Sequence, residues 1–505
     1  MKMWQKILAV VVPLGVVVAL PLVLRKDGEV VPAEGVLRLE VITPHNETIQ
    51  REFGEAFTEW YWEKEGREVY VNWLVPGGTS EIKRVLDSGY AAAEAGGREG
   101  VGIDVFFGGG EYDFSAQAKQ GRFVKLSLFE KRPELFLGEA PPIPAVNSGE
   151  KYYSPDQDWI GVCLSSFGIL YNLDGLNRLG LEAPEKWEDL TDPRYFGGIA
   201  LADPTKSGSV AKMFEMIIQE AIAELIDEGM EEEEAISEGW NLGLNRVKTI
   251  AANSRYFTDG SAKIPHDVAQ GNAVAGMCID FYGRTFEEEK KKGDRTRVRF
   301  VVPKGGTSIS VDPVAVLKGA PHPELAQDFV EFLFTERAQM LWNARKGTEY
   351  GPKYRHLRRL PVRRDLYDAK NLAVMTDAEV LPYEMAKEFE YRGDWTGRLF
   401  TPLRMIVRAM CIDSHVELKE AWKVYGQSVV REEDFLTEIA FWSLREGEVD
   451  GRPVEWPSVT YEVTGSRIRD TIKSGDKVAV VRMQRELGEF FRGNYRRVVE
   501  ELGRR

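Results

Sequence analysis

Three times within residues 36–113 the chain repeats one unit: an apolar strand, a polar or Gly-rich loop, and then a helix or its first turn. Val36 to Ile42 alternates as a strand, Thr43 to Asn46 is polar, and Ile49, Phe53, Phe57 and Trp60 fall on one helical face. Val69 to Val75 repeats the strand, Pro76 to Ser80 the loop, and Ile82, Val85 and Leu86 open the next helix. Ile103 to Phe107 is the third strand and runs into Gly108-Gly109-Gly110. Strands that alternate with helices must pair in parallel, which restricts the fold to an α/β sheet with loops gathered beyond the strands' carboxyl ends. Residues 43–46, 77–80 and 108–113 are therefore expected along one rim.

A second α/β block follows. Trp159 to Tyr171 is a long apolar run, and Ile199 to Ala202 and Ala273 to Phe281 are further strands. Between them, Gly198 to Met216 reads GIALADPTKSGSVAKMFEM, a strand entering a polar turn that opens a helix at Ser207-Gly208-Ser209. Hydroxyls and free backbone N–H groups meet there at the positive end of the helix dipole, which suits a phosphate or carboxylate. Val210, Phe214, Ile217, Ala221 and Leu225 keep helical spacing and should bury one face. Val298 to Val302 and Val311 to Leu317 return as strands, and Pro323 to Trp342 as a helix with Leu325, Phe329, Phe332 and Leu333 on its face. Beyond Lys353 comes the Arg-rich link RHLRRLPVRRDLY and then mostly helical sequence without a Gly-rich loop.

The 505 residues, 43% apolar, suffice for two or three packed domains. Ile7 to Leu24 is an uncharged run flanked by Lys2 and Lys6 and by Arg25 and Lys26, the pattern of a membrane anchor or export signal, with Asp27 to Glu34 as a tether. The bulk is expected outside the cytoplasm. A net charge of -14 gives no basic footprint for nucleic acid, and the acidic run Asp227 to Glu234 reads as a solvated face or loop. Cys163, Cys278 and Cys411 are too few for a disulfide framework; Cys163 and Cys278 sit in strand-like runs that pair only if those strands are neighbours, and buried free thiols are the expectation. His45, His266, His322, His356 and His415 show no metal spacing, and the Walker, G-x-S-x-G, H-E-x-x-H and G-x-G-x-x-G signatures are missing, so neither an enzyme nor a cofactor is expected.

Several candidates for ligand contact follow from the residues. His45, in the loop Thr43-Pro44-His45-Asn46, can ligate a metal when neutral or pair with an anion when charged. Gly108 to Gly110 permits close backbone approach, with Glu111, Tyr112 and Asp113 next in the chain. Ser165 and Ser166 interrupt an apolar run and need hydrogen-bond partners. Lys206, Ser207, Gly208 and Ser209, with Arg284, form a donor-rich set suited to an organic phosphate or carboxylate.

Three segments, Glu185 to Ser209, Ala275 to Arg284 (AGMCIDFYGR) and Ser310 to Leu341, resemble extracellular solute-binding proteins of ABC importers, of the type II class that includes ferric-iron and sugar-phosphate receptors. The resemblance runs from about Val36 to Tyr367. It implies two α/β lobes joined by crossover strands, residues 35–154 with 298–350 as lobe 1 and 155–297 as lobe 2. It does not cover the tail, and 351–505 is expected as a helical extension packed on lobe 2, where it could extend that lobe, shield the cleft or dock the permease. It implies a monomeric receptor that traps a small solute by lobe closure and hands it to a permease with its ATPase. Thr43, His45, Asn46, Gly109, Glu111 and Asp113 would face the ligand from lobe 1, and Asp280, Tyr282 and Arg284 from lobe 2. Ferric-iron receptors of this class carry an adjacent tyrosine pair; here Phe281 precedes Tyr282, which weakens a His45, Glu111, Tyr282 iron site and favours an organic anion. A membrane-tethered sensor is the remaining alternative.

Overall fold

The computed structural model describes residues 36–292, 295–427, 447–449, 452–454 and 459–503. The apolar run Ile7 to Leu24 and its tether lie outside them, and among the described residues no helix is long and apolar enough to cross a membrane. The main strands, in chain order, are β1 (Leu37–Ile42), β2 (Val69–Leu74), β3 (Val105–Phe107), β4 (Ile160–Ser165), β5 (Phe167–Asn172), β6 (Ile199–Ala202), β7 (Ser254–Thr258), β8 (Ala275–Ile279), β9 (Val298–Val301), β10 (Ser310–Val316) and β11 (Leu360–Pro361).

They form two sheets. The first has the order β11-β4-β10-β3-β1-β2 and the second β9-β5-β8-β6-β7. As the alternation requires, β1 pairs in parallel with β2 and β3, and β6 with β7 and β8. Antiparallel pairing is found at the strands adjoining the crossings, β10 against β3 and β4 and β5 against β8 and β9, and at the edge, β11 against β4.

The chain passes between sheets twice, at Ser166 and between Val301 and Ser310. Both expected lobe boundaries therefore move. The apolar run Trp159 to Tyr171 is two strands, one per sheet, so lobe 1 extends to Ser165; β9 belongs to the second sheet, so lobe 2 extends to Val301. A continuous apolar run marks both strands as buried on both faces and carries no information on which sheet each joins. Cys163 lies in the first sheet and Cys278 in the second; all three cysteines are buried and free.

The assignment of residues 351–505 to lobe 2 holds only in part. β11 extends the first sheet beside β4, and Leu357, Leu360, Val362 and Ala386 join the core of lobe 1. Trp395, Leu399, Leu403, Ile406, Leu418, Leu487 and Phe490 join that of lobe 2. The extension thus begins on one lobe and ends on the other. It also alters the helix Gly208–Asp227. Val210, Phe214, Ile217 and Ala221 are buried as their spacing requires, but so are Glu215 and Gln219 on the polar side. Gln219 Nε2 donates to Arg392 O at 2.8 Å and to Thr396 Oγ1 at 2.7 Å, so the extension covers what reads as a solvent face. The predicted helix Pro323 to Trp342 is two helices, broken where Thr335 caps Ala338 N–H at 3.2 Å.

Candidate ligand-binding cleft

A cleft of about 1690 Å³ separates the lobes. Its first wall is built by the loops that follow β1, β2 and β3, and its second by Lys206 to Ser209 and the Phe281-Tyr282 turn after β8. Asp312 and Arg359 lie between them, and Tyr391, Arg398 and Phe400 of the extension add a further wall.

Local sequence explains the rim. Asn46 Oδ1 accepts Ile49 N–H at 3.1 Å and starts the helix Glu47–Glu65. Gly78 and Gly110 start the helices Thr79–Ala95 and Glu111–Ala118 without a side-chain cap, and Ser207 caps Gly208–Asp227 through Val210 N–H at a long 3.4 Å. Helix N-termini from both lobes therefore meet in one cleft, where dipoles and backbone donors favour a negative group. The lobes approach closely at two glycines: a Cβ at Gly208 would lie 2.9 Å from Thr79 Oγ1, and one at Gly78 3.3 Å from Lys206 O. Gly108 combines φ +90° with the His45 ring, which a Cβ would meet at 2.4 Å.

Burial, and secondarily Arg359, pushes the His45 pKa well down, so the imidazole is neutral; it packs edge-on to Phe107 with centroids 4.7 Å apart, and its Nε2 has no hydrogen-bond partner. Burial raises the carboxyl of Asp113 despite Arg404 and Lys83, and raises the phenol of Tyr282, which bonds to Asn46. Arg359 is buried and donates to Asp312 Oδ2 at 2.7 Å, to Ser165 Oγ at 3.1 Å and to Cys163 Sγ at 3.7 Å, with its guanidinium 4.5 Å from the Phe281 ring. Lys212 bridges the lobes: its Nζ lies 3.1 Å from Glu150 of lobe 1 and 3.1 Å from Glu215 of lobe 2, over the Tyr391 ring at 3.4 Å. Burial would pull the Lys212 pKa down, but Glu150 and Glu215 outweigh it and hold it well above the usual value.

Of the residues expected at the ligand, His45, Asn46, Gly109, Glu111, Asp113, Lys206, Ser207, Gly208, Ser209 and Tyr282 line the cleft. Five do not. Thr43 is buried, and its Oγ1 accepts His45 N–H at 3.1 Å, bracing the loop from behind. Ser165 is taken by Asp312 and Arg359, and Ser166 is buried at the first crossing. Asp280 Oδ2 accepts from Arg284 at 2.8 Å; Arg284 also lies 3.6 Å from Asp377 and donates to Arg358 O at 2.9 Å. That cation is paired with carboxylates behind the cleft and is removed from the expected donor set. Lys206 is paired with Asp259 at 2.6 Å. Among the described residues no group of three or more His, Cys, Asp or Glu could hold a metal ion, and the Phe281 ring lies tilted against Tyr282, centroids 4.0 Å apart, at the position where the resemblance to iron receptors leads one to expect a second phenol.

Sequence reasoning missed Glu150, Lys212, Glu215, Asp312, Arg359, Tyr391, Arg398 and Phe400. One signal was available: Gly208, Lys212, Glu215 and Gln219 form a polar stripe at helical spacing, continuing the Ser207 to Ser209 turn down the cleft side of its helix.

A cleft between two α/β lobes joined by two crossings defines a two-lobe binding protein of the type II periplasmic class. The chain belongs to the bacterial extracellular solute-binding proteins, whose family model matches residues 103–354. It is 27% identical over 264 residues to a protein of Haemophilus influenzae, covering 52% of this chain and 67% of that one. To the phosphoglycerate transport regulatory protein of Salmonella typhimurium it is 25% identical over 182 residues, 36% of this chain and 40% of the relative's length. The substrate-binding protein of an ABC transporter from Agrobacterium tumefaciens shares the fold, with a TM-score of 0.50 at 15% identity over 74% of this chain and 94% of that one. Membership of this extracellular family places the protein outside the cytoplasm.

Proposed function

We propose that the protein is the solute-binding receptor of an ABC importer and captures a small organic anion, a phosphate ester or carboxylate, between its lobes. The observation that carries this reading is the meeting of helix N-termini from both lobes at Gly78, Gly110 and Ser207 on one cleft. A ligand touching both walls stabilises the closed form, and closure then presents it to a permease driven by its ATPase. The name of the Salmonella relative supports a phosphate-bearing solute. In this reading the receptor acts as a monomer, held at the outer face of the membrane by its N-terminal run or released by cleavage, and performs no catalysis.

The test is thermal-shift screening of the full chain against sugar phosphates, phosphoglycerates, carboxylates, phosphonates and ferric salts, since a ligand that binds only the native state raises its melting temperature. A rise with an organic anion is the expected result. A rise with ferric salts alone would put iron in its place, with His45, Glu111 and Tyr282 as the residues to substitute. A lone or kinase-linked gene, in place of neighbouring permease and ATPase genes, would favour a membrane-tethered sensor.

A further inference from the structure

Residues 391–404 bind both lobes. The Tyr391 backbone sits directly on Gly149 of lobe 1, where a Cβ would lie 1.8 Å from Tyr391 O, and Tyr391 N–H donates to Ser148 O at 2.9 Å. Its side chain turns the other way and donates to Glu215 Oε1 of lobe 2 at 3.0 Å. Thr396 Oγ1 donates to the same oxygen at 2.6 Å, and Trp395, Leu399 and Leu403 are buried in the core of lobe 2. The segment then meets lobe 1 again. Tyr112 and Thr401 share a hydrogen bond of 2.7 Å, and the Tyr112 and Phe400 rings are 4.6 Å apart. The Arg404 guanidinium ties the two lobes in one fork: it donates to Pro204 O at 2.7 Å and Thr205 O at 3.1 Å on lobe 2, and to Ser80 Oγ at 2.7 Å on lobe 1.

We infer that residues 391–404 are a positioning arm for ligand capture, carried by lobe 2 and docked on lobe 1 when the cleft is closed. The contacts divide in a way that supports this. Those to lobe 2 include buried apolar side chains, which hold the arm there permanently. Those to lobe 1 are the Tyr391 backbone against Gly149, close to where the chain leaves the lobe 1 core at Ala386, and beyond it only a few hydrogen bonds and one ring contact, few enough to break and re-form as the lobes swing. The arm thus biases the lobes toward closure and supplies Tyr391, Arg398 and Phe400 as a wall of the cleft. The inference rests on reading the cleft as a closing receptor.

The test is the interlobe distance in the full chain, solubilised in detergent, by double electron–electron resonance. Spin labels are placed at Glu68→Cys and Glu182→Cys, exposed positions on opposite lobes, the three native cysteines being buried. Arg404→Ala is expected to shift the ligand-free distribution to longer distances, and Arg404→Lys to do so less. Ser80→Ala with Tyr112→Phe should reproduce the shift from the lobe 1 side with the arm intact. For any probe among glucose 6-phosphate, 3-phosphoglycerate and citrate that raises the melting temperature, affinity should fall about tenfold in these variants, as the closed fraction falls. Unchanged distance distributions in both Arg404→Ala and the double variant would overturn the arm. Distances that shorten with a probe but ignore the substitutions remove the arm and leave the receptor. Distances that lengthen in the variants, with no response to any probe, support the arm and count against the receptor.

Discussion

The rim of the cleft and its floor are built in opposite ways. Residues 43–46, 77–80, 108–113 and 206–209 each follow a strand directly and reach the cleft through their own turn. The pairs below them join distant segments: Arg359 with Asp312, Lys212 with Glu150, and Tyr391 with Glu215. The rim presents backbone and hydroxyl groups, whereas the floor is made of buried ion pairs and a buried phenol–carboxylate hydrogen bond. The rim is thus suited to contact the solute, and the floor to hold the lobes' geometry.

The largest expected effect probes the floor. Arg359→Met leaves the Asp312 carboxylate without its buried partner and should cost about 3–5 kcal/mol of stability in denaturant unfolding. Adding Asp312→Asn should recover most of it, because the loss is one of unpaired charge and not of packing. A loss below about 1 kcal/mol would place the pair with ordinary surface pairs and erase the contrast. The next effect probes the rim. Gly208→Val puts a branched side chain where even a Cβ would lie 2.9 Å from Thr79 Oγ1. It should lower affinity for the solute by about 100-fold with the helix content unchanged in circular dichroism, since only the closed form is obstructed. Retained affinity would move the site of closure away from this seam.

The same contrast separates what was legible in the sequence from what was not. Period-two and helical patterning located β1, β2, β3, β6 and β8 and the rim loops, because each is set by a few consecutive residues. Phe281 beside Tyr282 was readable for the same reason. Sheet membership was not, as β4 and β5 show: one residue, Ser166, separates strands that join different lobes. Arg284 has the composition of an anion ligand; its pairing with Asp280 four residues earlier is local, but its second partner, Asp377, comes from a segment some ninety residues away. Arg359 stands in a link whose five arginines are equivalent by composition, and only the pairing of β11 with β4 directs it at Asp312. Tyr391 carries no local signal at all.

A third, smaller effect tests burial imposed from a distance. Glu220, on the helix that Ser207 caps, is buried beside Gly306 of the second crossing, and its pKa rises to about 8, through burial first and then Glu224, against the pull of Arg246. A pKa above the unfolded value means that the native state holds the proton more tightly. The stabilisation is full below the ordinary carboxyl pKa of 4.5 and is lost as pH rises through about 8. Between pH 5 and 9, Glu220→Gln should gain roughly 5 °C in melting temperature relative to the parent. Parallel melting curves across that range would show that the crossing does not exclude water from this carboxyl.

The smallest effect is expected at Lys206, and its smallness is informative. Lys206 lies on the rim beside Ser207 and is the cation that local sequence most directly offers to an anionic solute. Its ammonium is paired with Asp259, and the two side chains are 38% and 84% exposed. A pair so open to water is worth little, because solvent screens the attraction and both side chains lose freedom in forming it. Lys206→Ala should therefore shift stability by less than about 0.5 kcal/mol and solute affinity by less than about threefold, measured by calorimetric titration. If the rim recognises the solute through helix N-termini and hydroxyls, losing this ammonium removes no essential donor. A loss of tenfold or more would mean that the solute takes Lys206 from Asp259 on binding, so that the rim supplies charge as well as backbone donors.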